Sequence, residues 1–161
     1  MIHATSSELR MELPASPAAS GLARTLVEQR LAKWDILGIR DDVLLVVAEF
    51  VTNACAETPF KAIAINLIRE PASVLVEVWD GGAGRPRLRA QSPLTLDALD
   101  AVPDEAHWDH GGGWGLPLVQ ALSTACGTRE DPAGGKWVWS RLATPAPRVP
   151  SDPGTSRPSR A

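Results

Sequence analysis

Asp41-Asp42-Val43-Leu44-Leu45-Val46-Val47-Ala48-Glu49-Phe50-Val51-Thr52-Asn53-Ala54 is the stretch on which the reading of this chain turns. Its apolar residues recur at helical spacing: Val43, Val47, Phe50 and Ala54 form one arc, which predicts a helix from Asp41 to about Glu57, stopped by Pro59. Glu49 and Asn53, four positions apart, project together from a neighbouring arc, beside the buried stripe. An Asn carbonyl is a hard oxygen donor of the kind Mg²⁺ accepts. A carboxylate one turn away suits removal of a proton from a water or hydroxyl that attacks a phosphate. Taken alone, the pair is better explained as a solvated helix edge, so its meaning depends on what surrounds it.

Downstream, Ile63, Ile65 and Leu67 alternate with their neighbours, as do Val74, Val76 and Val78. With Pro71 between, this predicts two hairpin-connected strands over 61–69 and 73–79. The second ends at Asp80, followed by Gly82 and Gly84. Glycines there allow close approach of a flat ring, and a strand-end carboxylate suits an exocyclic amine such as that of adenine. A hairpin turn is the competing explanation, since Asp-Gly is itself a turn signal. Against the turn stand Arg85-Pro86 and a long connection to His110, of the length seen in lids or disordered segments. Gly111, Gly113 and Gly115 then open a predicted helix from Trp114 to about Ala125, with Pro117 tolerated in its first turn. A glycine-lined helix entrance attracts anions, and a plain hinge is the alternative. Final strands are predicted at 127–130 and 136–142, around the turn Asp131–Gly135.

Upstream, Leu9, Met11 and Leu13 alternate as a short edge strand, and Leu22, Leu26, Val27 and Leu31 stripe a helix from about Pro17 to Trp34, with Ser16 as its cap. Strands and helices are grouped instead of strictly alternating. The expected class is therefore α+β: a two-layer sandwich of a mostly antiparallel sheet with helices on one face. Residues 1–7 are expected to be a flexible lead-in, 8–143 the domain, and 144–161 a disordered tail with five prolines and Arg148, Arg157 and Arg160.

Composition narrows the function classes. At 161 residues, 44% of them hydrophobic, the chain suits one globular domain with tails. A formal charge of −3 argues against a general nucleic-acid binder. No apolar run is long enough for a membrane span, and the opening residues lack the basic-then-apolar pattern of a secretion signal. Two distant cysteines, Cys55 and Cys126, fit a reduced, cytoplasmic setting better than a disulfide framework. Common phosphate loops are excluded: Lys136 has Glu130 where a Walker loop needs its first glycine, and Leu116 takes the last glycine position of a GxGxxG fingerprint.

The order Glu49-Phe-Val-Thr-Asn53, Asp80-Gly-Gly-Ala-Gly84 and Gly111-Gly-Gly-Trp-Gly115-Leu116 resembles the GHKL ATP-binding superfamily, and within it the small bacterial anti-sigma-factor type serine kinases. The resemblance covers roughly Leu13 to Leu142. It implies ATP and Mg²⁺ as cofactors, with Asn53 on the magnesium and Glu49 as general base. Asp80 would bind adenine in a pocket shaped by Gly82 and Gly84. Gly111, Gly113 and Gly115, with Leu116, would form the lid hinge over the phosphates. A sigma factor or an antagonist protein bearing the phosphorylated serine would be the partner, in transcription control, and a homodimer is implied too. Two positions depart from the pattern. Ala56 and Glu57 stand where relatives carry an Arg-His pair, and Trp137 stands where a Thr is usual near the adenine carboxylate. The first departure favours a catalytically weak ATP-binding switch. The second favours a pure interaction domain, if Trp137 fills the base pocket. The connection is acidic, with Asp97, Asp100, Asp104, Glu105 and Asp109, and Trp108 and Trp114 flank the glycine cluster. Most of the six tryptophans are expected to be packing residues.

Overall fold

A computed structural model describes residues 1–82 and 115–145, with Leu116 described for its backbone only. The expected acidic connection, Gly84, Gly111, Gly113, Trp108, Trp114 and the tail beyond residue 145 lie outside the described residues.

Alternating apolar residues on the helix side build the sheet. In β2 (Glu8–Pro14), Leu9, Met11 and Leu13 are buried and the residues between them are not. β3 (Ala62–Arg69) buries Ile63, Ile65 and Leu67, and β4 (Ser73–Asp80) buries Val74, Val76 and Val78. With β1 (Ile2–Ala4), β5 (Ala125–Glu130) and β6 (Lys136–Ala143), they form a six-stranded sheet in the order β1-β2-β3-β4-β6-β5, antiparallel at every pairing. The helices cover one face: α1 (Ala19–Lys33), α2 (Arg40–Glu57) and α3 (Gly115–Leu122). This is the expected α+β arrangement.

Three expectations are corrected. The first concerns residues 1–7, expected to be flexible: Ile2 pairs with Met11 and Ala4 with Leu9, so β1 takes the edge and β2 moves inside. Side chains hold this lead-in down. Arg30 donates to the Thr5 carbonyl at 2.9 Å, and the Trp34 indole N–H donates to that of Ser6 at 2.7 Å. The second concerns the stripe of α1. Its buried line is Ala19, Ala23, Val27 and Leu31, whereas Leu22 is 47% exposed. Val27 and Leu31 of the expected stripe are thus buried, and Ala19 and Ala23, not Leu22, complete the line. The third is the cap: Ser16 offers α1 its carbonyl, which accepts the Ala19 N–H at 3.0 Å, and no side chain caps the helix.

Helix α2 carries the largest share of the core, burying Val43, Leu44, Val46, Val47, Phe50, Val51 and Ala54. Asp41 and Asp42 complement the positive end of its dipole. Past its last turn, Thr58 donates to the Ala54 carbonyl at 2.8 Å, ahead of Pro59.

The opposite sheet face carries no helix among the described residues and is dressed in large side chains. Trp79 pairs with Trp137, and Glu77 with Trp139. The Arg129 guanidinium stacks 4.9 Å from the Trp137 ring and donates to Glu77 at 2.9 Å. Glu77 also accepts from the Asn66 amide at 3.2 Å. At the far end Arg141 forks onto Glu70 at 2.6 and 2.8 Å.

Candidate functional site

Asp80 is the last residue of β4, and it belongs to the same alternating set as Val74, Val76 and Val78. Its side chain therefore turns toward the helices, where only 3% of it is exposed. A carboxylate removed from water needs partners. Asp80 finds two: the Gly82 backbone N–H and the Lys136 ammonium each donate to Oδ1 at 2.9 Å. Lys136 lies directly across the β4–β6 ladder and is nearly as buried, with 9% of its side chain exposed.

The helix reaches this strand end through its last turn. A Cβ added to Gly82 would stand 2.9 Å from Asp80 Oδ1 and 3.2 Å from Glu57 Cβ, so the glycine is where the chain passes between strand and helix. Glu49, Asn53 and Glu57 are spaced by four and share a side of α2, drifting about 40° per step. The line that begins with the half-buried Glu49 and Asn53 thus ends at the Asp80-Gly82 turn.

Gly115, the last of the expected glycine cluster, is the first residue of α3, with Leu116 next and Pro117 in the first turn. Val119 fixes α3 in the core, and Ser123 meets Ser140 of β6 at 2.6 Å between hydroxyl oxygens. Gly84, Gly111 and Gly113 lie outside the described residues. Among the described residues no group of three or more His, Cys, Asp or Glu is placed to hold a metal ion. A cation beside Asn53 would therefore draw its other ligands from phosphate oxygens and water, the usual habit of Mg²⁺.

The position opposite Asp80 corrects the sequence reading. Trp137, expected beside the carboxylate, faces the other side of the sheet: its indole N–H donates to Asp131 at 2.7 Å, under the Arg129 guanidinium. Lys136 takes the place beside Asp80. One residue along a strand exchanges the two faces, so an offset of one selects the wrong side chain. The signal that finds Lys136 is the burial parity of β6, where Lys136, Ser140 and Leu142 are buried on the helix side. Glu57, a departure from the family pattern in the sequence, also borders the Gly82 turn. Close by, Cys55 is half-buried, and burial pushes its thiol above the ordinary range.

No helix among the described residues is long and apolar enough to cross a membrane. No curated protein matches the chain. A family profile described as "Histidine kinase-like ATPase domain" matches residues 7–142, from just before β2 to near the end of β6. That span takes in α2, the Asp80 turn and α3 in the order the fold requires, and the chain belongs to the histidine kinase-like ATPase family.

Proposed function

We propose that this chain binds ATP with Mg²⁺ between α2, the Asp80 turn and the entrance of α3, and acts in the cytoplasm as an anti-sigma-factor type protein serine/threonine kinase. The observation that carries the reading is Asp80: a carboxylate almost wholly withdrawn from water at a strand end, with both of its hydrogen bonds among the described residues on one oxygen. That leaves Oδ2 for a donor on the base. Gly82, with no room for a Cβ, keeps the chain low beside it. Asn53 is the metal ligand of this reading and Glu49 its general base. Gly84 joins Gly82 in shaping the base pocket in this reading, and Gly115 and Leu116 head the helix whose N-terminus faces phosphate, with Gly111 and Gly113 ahead of them. When bound, Mg²⁺ would bridge phosphate oxygens and offset their charge. The partners are a sigma factor and an antagonist protein that accepts the phosphoryl group on serine, with a second copy of the chain as a further partner.

Calorimetry with ATP and Mg²⁺ is the first test, and absence of binding heat ends the reading. Asp80→Asn should weaken ATP by about tenfold or more with the fold intact, because it removes a hydrogen bond to a charged acceptor. Unchanged affinity would refute the base assignment. Radiolabel transfer to an antagonist protein, lost in Glu49→Ala while ATP binding is kept, would establish the kinase.

One observation favours a second reading, a nucleotide-binding switch with little phosphoryl transfer. Glu57, and not a cation, is the α2 side chain that reaches the Gly82 turn. A negative charge there works against phosphate. Failure to label any antagonist despite tight ATP binding would select this reading. The interaction-domain alternative loses its motive, because Trp137 lies on the far face of the sheet.

A further inference from the structure

Lys136 and Asp80 form a pair that is only half satisfied. An ammonium carries three N–H donors, and among the described residues one is taken, by Asp80 Oδ1. The same oxygen takes the Gly82 N–H, and no hydrogen bond among the described residues falls on Oδ2. Both side chains are at least nine-tenths buried. Leaving donors of a buried charge unanswered is costly, so the pair asks for a ligand that brings a donor and an acceptor side by side.

The 6-position edge of a purine is such a ligand. In a 6-aminopurine the amino group donates and ring N1 accepts. In a 6-oxopurine N1–H donates and the carbonyl accepts. A carboxylate alone answers the amino group and repels the carbonyl. With an ammonium 2.9 Å from that carboxylate, both edges can be met in full. We infer that Lys136 reads the base together with Asp80, and that it opens the pocket to 6-oxopurine nucleotides as well as to ATP. This rests on the nucleotide reading above and adds its base specificity. Lys136 acts by touching the base, donating to N1 of adenine or to the 6-oxygen of guanine or hypoxanthine, while Oδ2 of Asp80 accepts from the neighbouring group.

The test is calorimetry of the full chain with the Mg²⁺ complexes of ATP, GTP and ITP. For the wild type, GTP and ITP should bind within about tenfold of ATP. Lys136→Met should cost GTP and ITP about tenfold or more relative to ATP, since their carbonyl then lies unpaired beside a carboxylate. Lys136→Met also strands a buried carboxylate and risks the fold. Lys136→Gln, a neutral donor, should retain measurable GTP and ITP binding and provides the comparison if the methionine variant unfolds. The inference is overturned, with the ATP pocket still standing, if GTP and ITP bind more than about a hundredfold weaker than ATP. It is overturned in the same way if both substitutions leave the ratios unchanged or simply raise ATP affinity, as a mere counter-ion would. If none of the three nucleotides binds, the nucleotide reading and this one fall together.

Discussion

Gly134 and Gly135 are adjacent in the β5–β6 turn, and both hold positive φ, at 103° and 82°. They differ in what surrounds them. A Cβ on Gly134 would meet nothing within 4 Å, whereas one on Gly135 would stand 2.3 Å from the Asp80 backbone carbonyl oxygen and 2.9 Å from the Trp79 ring. Gly134→Ala should therefore cost only the strain of positive φ in a residue with a side chain, about 1–2 kcal/mol. Gly135→Ala carries the same strain and an overlap about 1 Å short of ordinary contact. Its obstacle is backbone in the β4–β6 ladder, which cannot swing aside, so overpacking adds about 1–3 kcal/mol. Urea unfolding followed by tryptophan fluorescence measures both, since the Trp79 indole donates to the Gly134 carbonyl at 3.1 Å and reports on this turn. Gly135→Ala should unfold at clearly lower urea with an unchanged slope, and should weaken ATP more than Gly134→Ala, because the displaced carbonyl belongs to Asp80. Equal midpoints for the two variants would refute the account of how β4 and β6 meet.

Four further outcomes are expected. Leu31→Ala removes a fully buried side chain where α1 contributes to the core, and should cost about 2–5 kcal/mol in chemical denaturation. Trp34→Phe loses the bond to the Ser6 carbonyl and should cost about 1 kcal/mol, and hydrogen exchange should show β1 amides exchanging faster. Unchanged exchange would mean that β1 is held by its pairing alone. The Arg141 fork holds the Glu70 carboxyl below its ordinary range, with help from the Ser73 hydroxyl. The folded value is the lower one, so the pair stabilises above the unfolded value of 4.5 and loses this as pH falls through the folded value. Arg141→Met should lose up to about 1 kcal/mol at neutral pH, allowing for partial exposure, and show a shallower acid-side decline. Asp131→Ala removes acceptors for the Ala133 N–H at 2.9 Å and the Trp137 indole at 2.7 Å, and should lower the urea midpoint and shift tryptophan emission.

Periodicity made α2, β3 and β4 legible, because each buries one full face and its sequence alternates or repeats accordingly. β1 escaped: Ile-His-Ala has no alternation of its own, and it is a strand because β2 offers it a free edge. Of the α1 stripe, Val27 and Leu31 are buried and Leu26 packs against the core, but Leu22 is exposed, and Ala19 and Ala23 complete the buried line with side chains too small to stand out in a hydrophobic pattern. Glu49, Asn53 and Asp80 were legible as candidates from spacing. Lys136 was not, since a lysine beside a tryptophan is not the residue expected to turn toward the helices, and only its parity with Ser140 and Leu142 marks it. The network of Asn66, Glu77 and Arg129 was equally hidden, being assembled from three strands, and Asn66 Oδ1 is buried there with no hydrogen-bond partner among the described residues.

The strand order carries a consequence for synthesis. β6 is made after β5, yet it inserts between β5 and β4. A growing chain on the ribosome therefore presents the free rim of β4, with an acid at its tip still lacking its ammonium, until Lys136 and the residues after it emerge. Any polypeptide cut short before that point keeps a bare rim open to foreign strands, the kind of species that chaperones shelter.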